Sequence, residues 1–129
     1  MIYVTDTHSL IWFLSDNRSL STKAREIFEI TEKGKNIIVI PTIVLAELFH
    51  ICEKKNILNL FSEIINKLKT GTNYIVYNLD LDVIIECKNL NKIPEMHDKI
   101  IAATTKILGV VLITKDQEIQ ASAYIKTIW

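Results

Sequence analysis

The chain has few of the residues that interrupt a fold. Three glycines and two prolines in 129 residues leave no linker and no low-complexity stretch. The two cysteines, Cys52 and Cys87, stand far apart, each within an apolar helical pattern. They read as buried thiols in a reducing compartment, and neither has the companions a zinc site would need. Charge of one sign is missing too. The 15 basic and 15 acidic residues cancel, which removes the global basic footprint of a nucleic-acid binder and leaves room only for a local patch. No apolar run approaches the roughly 20 residues that span a bilayer. The basic n-region and apolar stretch of a signal peptide are absent. The expectation is a cytoplasmic protein with no membrane contact. No tight-hairpin dipeptide such as Asn-Gly occurs.

What is present is a 49% hydrophobic composition at a length that suits one domain, 1–129. Short apolar strands are expected at 2–5, 36–40, 74–77, 110–113 and 125–129. Helices are expected at 9–15, 22–33, 43–55, 58–69, 80–90, from 98 to Leu108, and from just after 116 to 123. Ser21 suits an N-cap, and Gly34, Gly71 and Gly109 suit helix stops. Strands that alternate with helices argue for an α/β fold, with a central, mostly parallel sheet and helices on both faces.

The stretch from Asp98 to Asp116 organises the chain. Ile100, Ile101, Ala103, Ile107 and Leu108 recur at helical spacing, Gly109 ends the helix, and Val110 to Ile113 form a strand covered on both faces. Asp98 opens that helix and Asp116 follows the strand. Helix N-termini and strand C-ends share the ligand-binding edge of such a sheet. Asp6, at the end of the first strand, belongs to the same edge. Glu47 lies on the helix after the second strand, on one face with Ile43 and Ile51.

Each acid alone has a plain role available. Asp6, Asp98 and Asp116 all suit an N-cap, and Glu47 suits a structural ion pair. Together at one edge they would repel each other unless a cation sat among them. Mg²⁺ or Mn²⁺ is the natural ion for an all-oxygen site, and metal-assisted hydrolysis of a phosphodiester follows as the chemistry.

The segments YVTDTHSLIWFL, IPTIVLAELFH and PEMHDKIIAATTKILGVVLITKD, in this order and spanning nearly the whole chain, resemble the PIN-domain ribonucleases. Among those, they resemble the VapC-type toxins of toxin–antitoxin pairs. The resemblance implies a PIN-like three-layer α/β/α domain and an Mg²⁺- or Mn²⁺-dependent endoribonuclease working through activated water. It implies that Asp6, Glu47, Asp98 and Asp116 bind the metal. Thr114 would hydrogen-bond a metal-bound water or a neighbouring carboxylate, and Thr7 is the small hydroxyl residue after the first acid. It further implies an RNA substrate, a cognate antitoxin and a homodimer.

Lys99 stands where relatives frequently carry Arg, and reads as a solvated helix residue. Glu95 reads as a first-turn acid that could join the site. His97, His8 and His50 read as non-catalytic. Lys54, Lys55, Lys67 and Lys69 are candidates to flank the acids and meet RNA. Trp12, Phe13, Phe49 and Trp129 are large apolar residues in excess of what a small core needs, which points to an interface, with the core the expected home of Phe49. A receiver domain would need an acceptor Asp after the third strand, where Asn78-Leu79 stands. A haloacid-dehalogenase-like phosphatase would need Asp-x-Asp where Asp6-Thr7-His8 stands. A housekeeping RNA-processing nuclease and a non-cleaving PIN-fold binding module are the alternatives that remain.

Overall fold

In a computed structural model that describes residues 1–129, the chain alternates strand and helix as expected. The strands are β1 (Ile2–Thr5), β2 (Ile37–Pro41), β3 (Tyr74–Tyr77), β4 (Val111–Ile113) and β5 (Lys126–Ile128). The helices are α1 (Thr7–Leu14), α2 (Thr22–Glu32), α3 (Thr42–Lys54), α4 (Leu58–Thr70), α5 (Leu81–Glu86), α6 (Met96–Leu108) and α7 (Gln117–Ser122). The helix expected over 80–90 is α5, which tightens at its end into a 3₁₀ turn, Cys87–Asn89.

The sheet runs in the order β3-β2-β1-β4-β5, and every pairing is parallel. "Mostly parallel" therefore understates it. The order follows from chain geometry. Right-handed crossovers from β1 to β2 to β3 place α1 to α4 on one face, and the return to β4 and on to β5 places α5 to α7 on the other. This gives three layers, α/β/α. The strand order reverses at β1, so the gap between the C-ends of β1 and β4 is the topological switch point.

The central strands supply the core because helices cover both of their faces. Val4 sits beside Val39 and Leu112 in register, and all three are buried. Leu10, Phe28, Leu48, Ile64 and Ile101 come down on them from both layers. Gly109 ends α6 with φ +66°, a left-handed turn that lets its N–H reach back to the carbonyls of Thr105 and Lys106.

Several side chains depart from the sequence reading. Phe49 is 42% exposed, because the inward face of α3 is Val44, Leu48 and Cys52. Its ring instead leans on Phe61. Ile107 is also exposed, since the buried stripe of α6 has turned away by that position. Cys52 is buried as expected, whereas Cys87 is only half-buried, and both are free thiols. Trp12, Phe13 and Trp129 pack against the core edge, Phe13 stacked on Phe28. Apart from Phe49, the exposed large apolar side chains are aliphatic or methionine, among them Ile75, Val76, Leu81, Ile84 and Ile85 on β3 and α5. No helix is long and apolar enough to cross a membrane.

The packing makes a direct prediction. Leu112→Ala, in the fully buried centre of β4, should cost about 2–5 kcal/mol of unfolding free energy. Ile84→Ala, on the exposed face of α5, should stay within about 0.5 kcal/mol of the parent. Urea denaturation of the two variants checks it; equal losses would contradict the assignment of core and surface.

Candidate active site

The site forms where the sheet's crossovers diverge. Thr5 lies beside Ile113 in the β1–β4 pairing, so the residues that follow, Asp6 and Thr114, emerge side by side. Thr114 Oγ1 donates to Asp6 Oδ2 at 2.6 Å. Asp6 Oδ1 accepts from the Ser9 N–H at 2.9 Å and so caps α1. Asp116 N–H donates to Thr114 Oγ1, and Asp116 Oδ1 caps α7 through Ile119 N–H. The capping role and the convergence on one edge are thus both true of Asp6 and Asp116. A cap at a strand's C-end must stand at the sheet edge.

Glu47 arrives from the second turn of α3. Thr7 Oγ1 donates to its Oε1 at 2.6 Å, and His97 Nδ1 stands 3.8 Å from its Oε2. Glu47 therefore has a hydroxyl and an imidazole, and neither Lys nor Arg. Thr7 holds Glu47 much as Thr114 holds Asp6, a role the sequence did not assign to it.

Asp98 does not open its helix. α6 starts at Met96, and Glu95 is the cap, its Oε2 accepting from Asp98 N–H at 2.7 Å. Glu is outside the usual capping set, which is why Asp98 looked the better candidate. Here the longer side chain reaches, and its other oxygen accepts from His97 Nδ1 at 2.6 Å. Asp98 sits in the first turn of α6 and its carboxylate accepts no hydrogen bond from the protein.

Asp6, Glu47, Glu95, Asp98 and Asp116 line one pocket of about 570 Å³, together with Thr7, His8, Trp12 and Lys115. The electrostatic strain is legible in the protonation equilibria. Burial, then the charges of Asp116, Glu95, Asp6 and Glu47, push the Asp98 carboxyl up to about 7. Burial also pushes Asp6 up, against hydrogen bonds from Ser9 and Thr114 that hold it down. Partial burial raises Glu95, but hydrogen bonds from Asp98 N–H and His97 outweigh it, and the net shift is downward. The hydrogen bond to Glu95 raises His97, with burial opposing and nearby acids assisting.

The donor set is all oxygen and suits a hard divalent cation. No three of these groups stand at ligating spacing as placed. Asp98 is the acid of the set whose carboxylate oxygens are taken by no hydrogen bond from the protein. The donor chemistry and the mutual repulsion fit Mg²⁺ or Mn²⁺.

The lysines proposed to flank the site do not. None of Lys54, Lys55, Lys67 and Lys69 lines the pocket. Lys67 pairs at 2.8 Å with Glu32, near the end of α2 where the chain turns into β2, at the opposite edge of the sheet. The cation in the pocket wall is Lys115, and Lys99 is outside it. The signal that would have found Lys115 is its place between Thr114 and Asp116.

A PIN domain family model matches residues 3–124. No curated protein matches the chain. Among solved structures, VapBC2 from Rickettsia felis bound to a promoter DNA fragment matches at TM-score 0.76 and 20% identity, covering 100% of this chain and 99% of that one. DNA-bound VapBC from Salmonella typhimurium matches at TM-score 0.74 and 18% identity, over 99% of this chain and 97% of that one. VapC20 from Mycobacterium tuberculosis, a sarcin–ricin loop cleaving toxin, matches at TM-score 0.67 and 13% identity, over 98% of each chain. At these identities the likeness is one of fold.

The crowding of acids has a consequence for stability. Asp98 titrates near 7 in the folded chain against 3.8 for an ordinary Asp, so the folded state holds its proton more tightly than the unfolded one. The stability this gives is present below about pH 4 and is lost as pH rises through about 7. Melting midpoints in chelator should therefore fall from pH 4 to 8, and fall less in Asp98→Asn. Parallel curves for the two proteins would show that Asp98 feels no such repulsion.

Proposed function

Because the chain belongs to the PIN domain family, we propose that it is a divalent-metal-dependent endoribonuclease and the toxin of a toxin–antitoxin pair. One observation carries this reading. Five carboxylates crowd the switch-point pocket, two of them fixed by threonine hydroxyls, and burial together with their repulsion lifts Asp98 to about 7.

Asp6, Glu47, Asp98 and Asp116 would hold the ion. Bound Mg²⁺ or Mn²⁺ would bring a water molecule's pKa toward neutrality and offset charge developing on a phosphoryl oxygen. The chain's own task is positioning. Thr114 and the Ser9 N–H fix the Asp6 carboxylate from both oxygens, and Thr7 fixes Glu47. The Glu95 cap sets the first turn of α6, which presents Asp98. Lys115 meets the substrate phosphate as a point charge. A single-stranded loop suits the pocket best, because its phosphates are accessible and its bases can be splayed out. The loop-cleaving neighbour supports that substrate form.

The toxin reading is supported by the neighbours that are VapBC assemblies. A small open reading frame beside this one, coexpressed, would suppress cleavage. A housekeeping nuclease would be indifferent to it. For the homodimer, β3 is an edge strand with exposed Ile75 and Val76, and α5, which follows it in the chain, exposes Leu81, Ile84 and Ile85. A free edge of this kind can pair with its own copy about a two-fold axis. Val76→Lys should convert a dimer to a monomer by light scattering; a dimer that persisted would place the contact elsewhere.

The test of activity is cleavage of a mixed single-stranded and structured RNA pool by purified, partner-free protein. Cuts should require Mg²⁺ or Mn²⁺, and Asp98→Asn should lower the rate by about 100-fold or more. Cleavage that survived both chelator and substitution would overturn the reading. Metal binding without cleavage of any RNA would favour the non-cleaving module.

A further inference from the structure

The acids account for the polar wall of the pocket and leave its aromatic wall unexplained. Trp12 and His8 both line the pocket. They are four residues apart on α1, hence on one face of the helix, with ring centroids 5.6 Å apart. The indole is braced: Trp129, just past β5, meets it edge-on at 5.9 Å and 62°. The Lys115 ammonium lies over the Trp12 ring, 5.7 Å from its centroid.

A half-buried indole beside five carboxylates gains little from that neighbourhood as a core residue. A braced, flat, partly open π-face next to a phosphate-handling centre is what an unpaired base needs. The spacing fits as well. Asp6 caps α1, and six residues at 1.5 Å rise put Trp12 roughly 9 Å along the helix from it. That is far enough to leave the reacting phosphate at the acids and near enough to catch a neighbouring base.

We propose that Trp12, braced by Trp129 and extended by His8, is a stacking platform for an unpaired nucleobase one or two nucleotides from the scissile phosphate, with Lys115 moving from the indole face to the adjoining phosphate. This rests on the nuclease reading for its substrate class. Stacking tolerates any base, so the platform selects for unpaired nucleotides rather than for a sequence.

Trp12 and Trp129 are the chain's two tryptophans, so Trp129→Phe makes Trp12 the sole reporter. In that variant, combined with Asp98→Asn to preserve the RNA, an unstructured RNA decamer with Mg²⁺ should quench Trp12 fluorescence. A decamer of abasic nucleotides on the same backbone should not quench it. With Trp129 retained, Trp12→Leu should weaken RNA binding by about 5- to 150-fold and Trp12→Phe should recover most of it. Circular dichroism confirms that the variants are folded, and the quenching arm needs no change at Trp12. Equal quenching by the abasic strand, unchanged binding in Trp12→Leu, or no binding of RNA at all would each overturn the platform. If the wild type cuts RNA and the platform tests fail, the nuclease reading stands alone. If stacking is seen and the wild type cuts nothing, it is the nuclease reading that fails.

Discussion

Everything around the pocket answers one constraint: negative charges have been gathered where water is partly excluded. Carboxylates in that position must be held, neutralised or protonated. The chain holds Asp6 with two hydrogen bonds, holds Glu47 with one, and gives Asp116 a helix end to cap. Asp98 alone receives no such support, and burial and the neighbouring acids push it up to about 7. The site is preloaded, in the sense that a cation entering it relieves repulsion already present in the folded chain.

The fold is what makes this gathering inexpensive. Acids from residues 6, 47, 98 and 116 come from four separate segments, yet each follows a strand end or sits in the first turns of a helix. In a parallel sheet with right-handed crossovers those places lie on one edge. None of the four acids takes a left-handed backbone conformation to get there. The cost falls on electrostatics rather than on backbone conformation.

The sheet was legible in the sequence because its signals are local and redundant: short apolar runs, Gly109 after α6, Ser21 before α2. That Asp6, Glu47, Asp98 and Asp116 meet at one pocket was legible because strand ends and helix starts can be marked on the sequence. Three things were not. The Glu95 cap was hidden because its reach depends on a side-chain rotamer, and the shorter Asp98 fits the capping rule better. The lysines of α3 and α4 misled because a sequence does not say toward which edge of the sheet a helix end points. Lys115 was passed over because a lone cation between a threonine and an acid has no periodic pattern to mark it. Phe49 illustrates a related limit: a one-position rotation of α3 decides whether a large ring is core or surface.

The division of labour among the acids also has a bearing on descent. Asp6 and Asp116 each hold a helix as well as facing the pocket, whereas Asp98 supports nothing but the charge cluster. Drift in a copy released from selection for activity would not treat them alike. Asp6 and Asp116 would persist as caps long after the proposed activity had gone, and Asp98, whose loss relieves the fold, would be the first to disappear. In a lineage descended from this chain, the identity of the residue at 98 is therefore the informative fossil, and retained acids at 6 and 116 say little about whether the copy keeps the proposed activity.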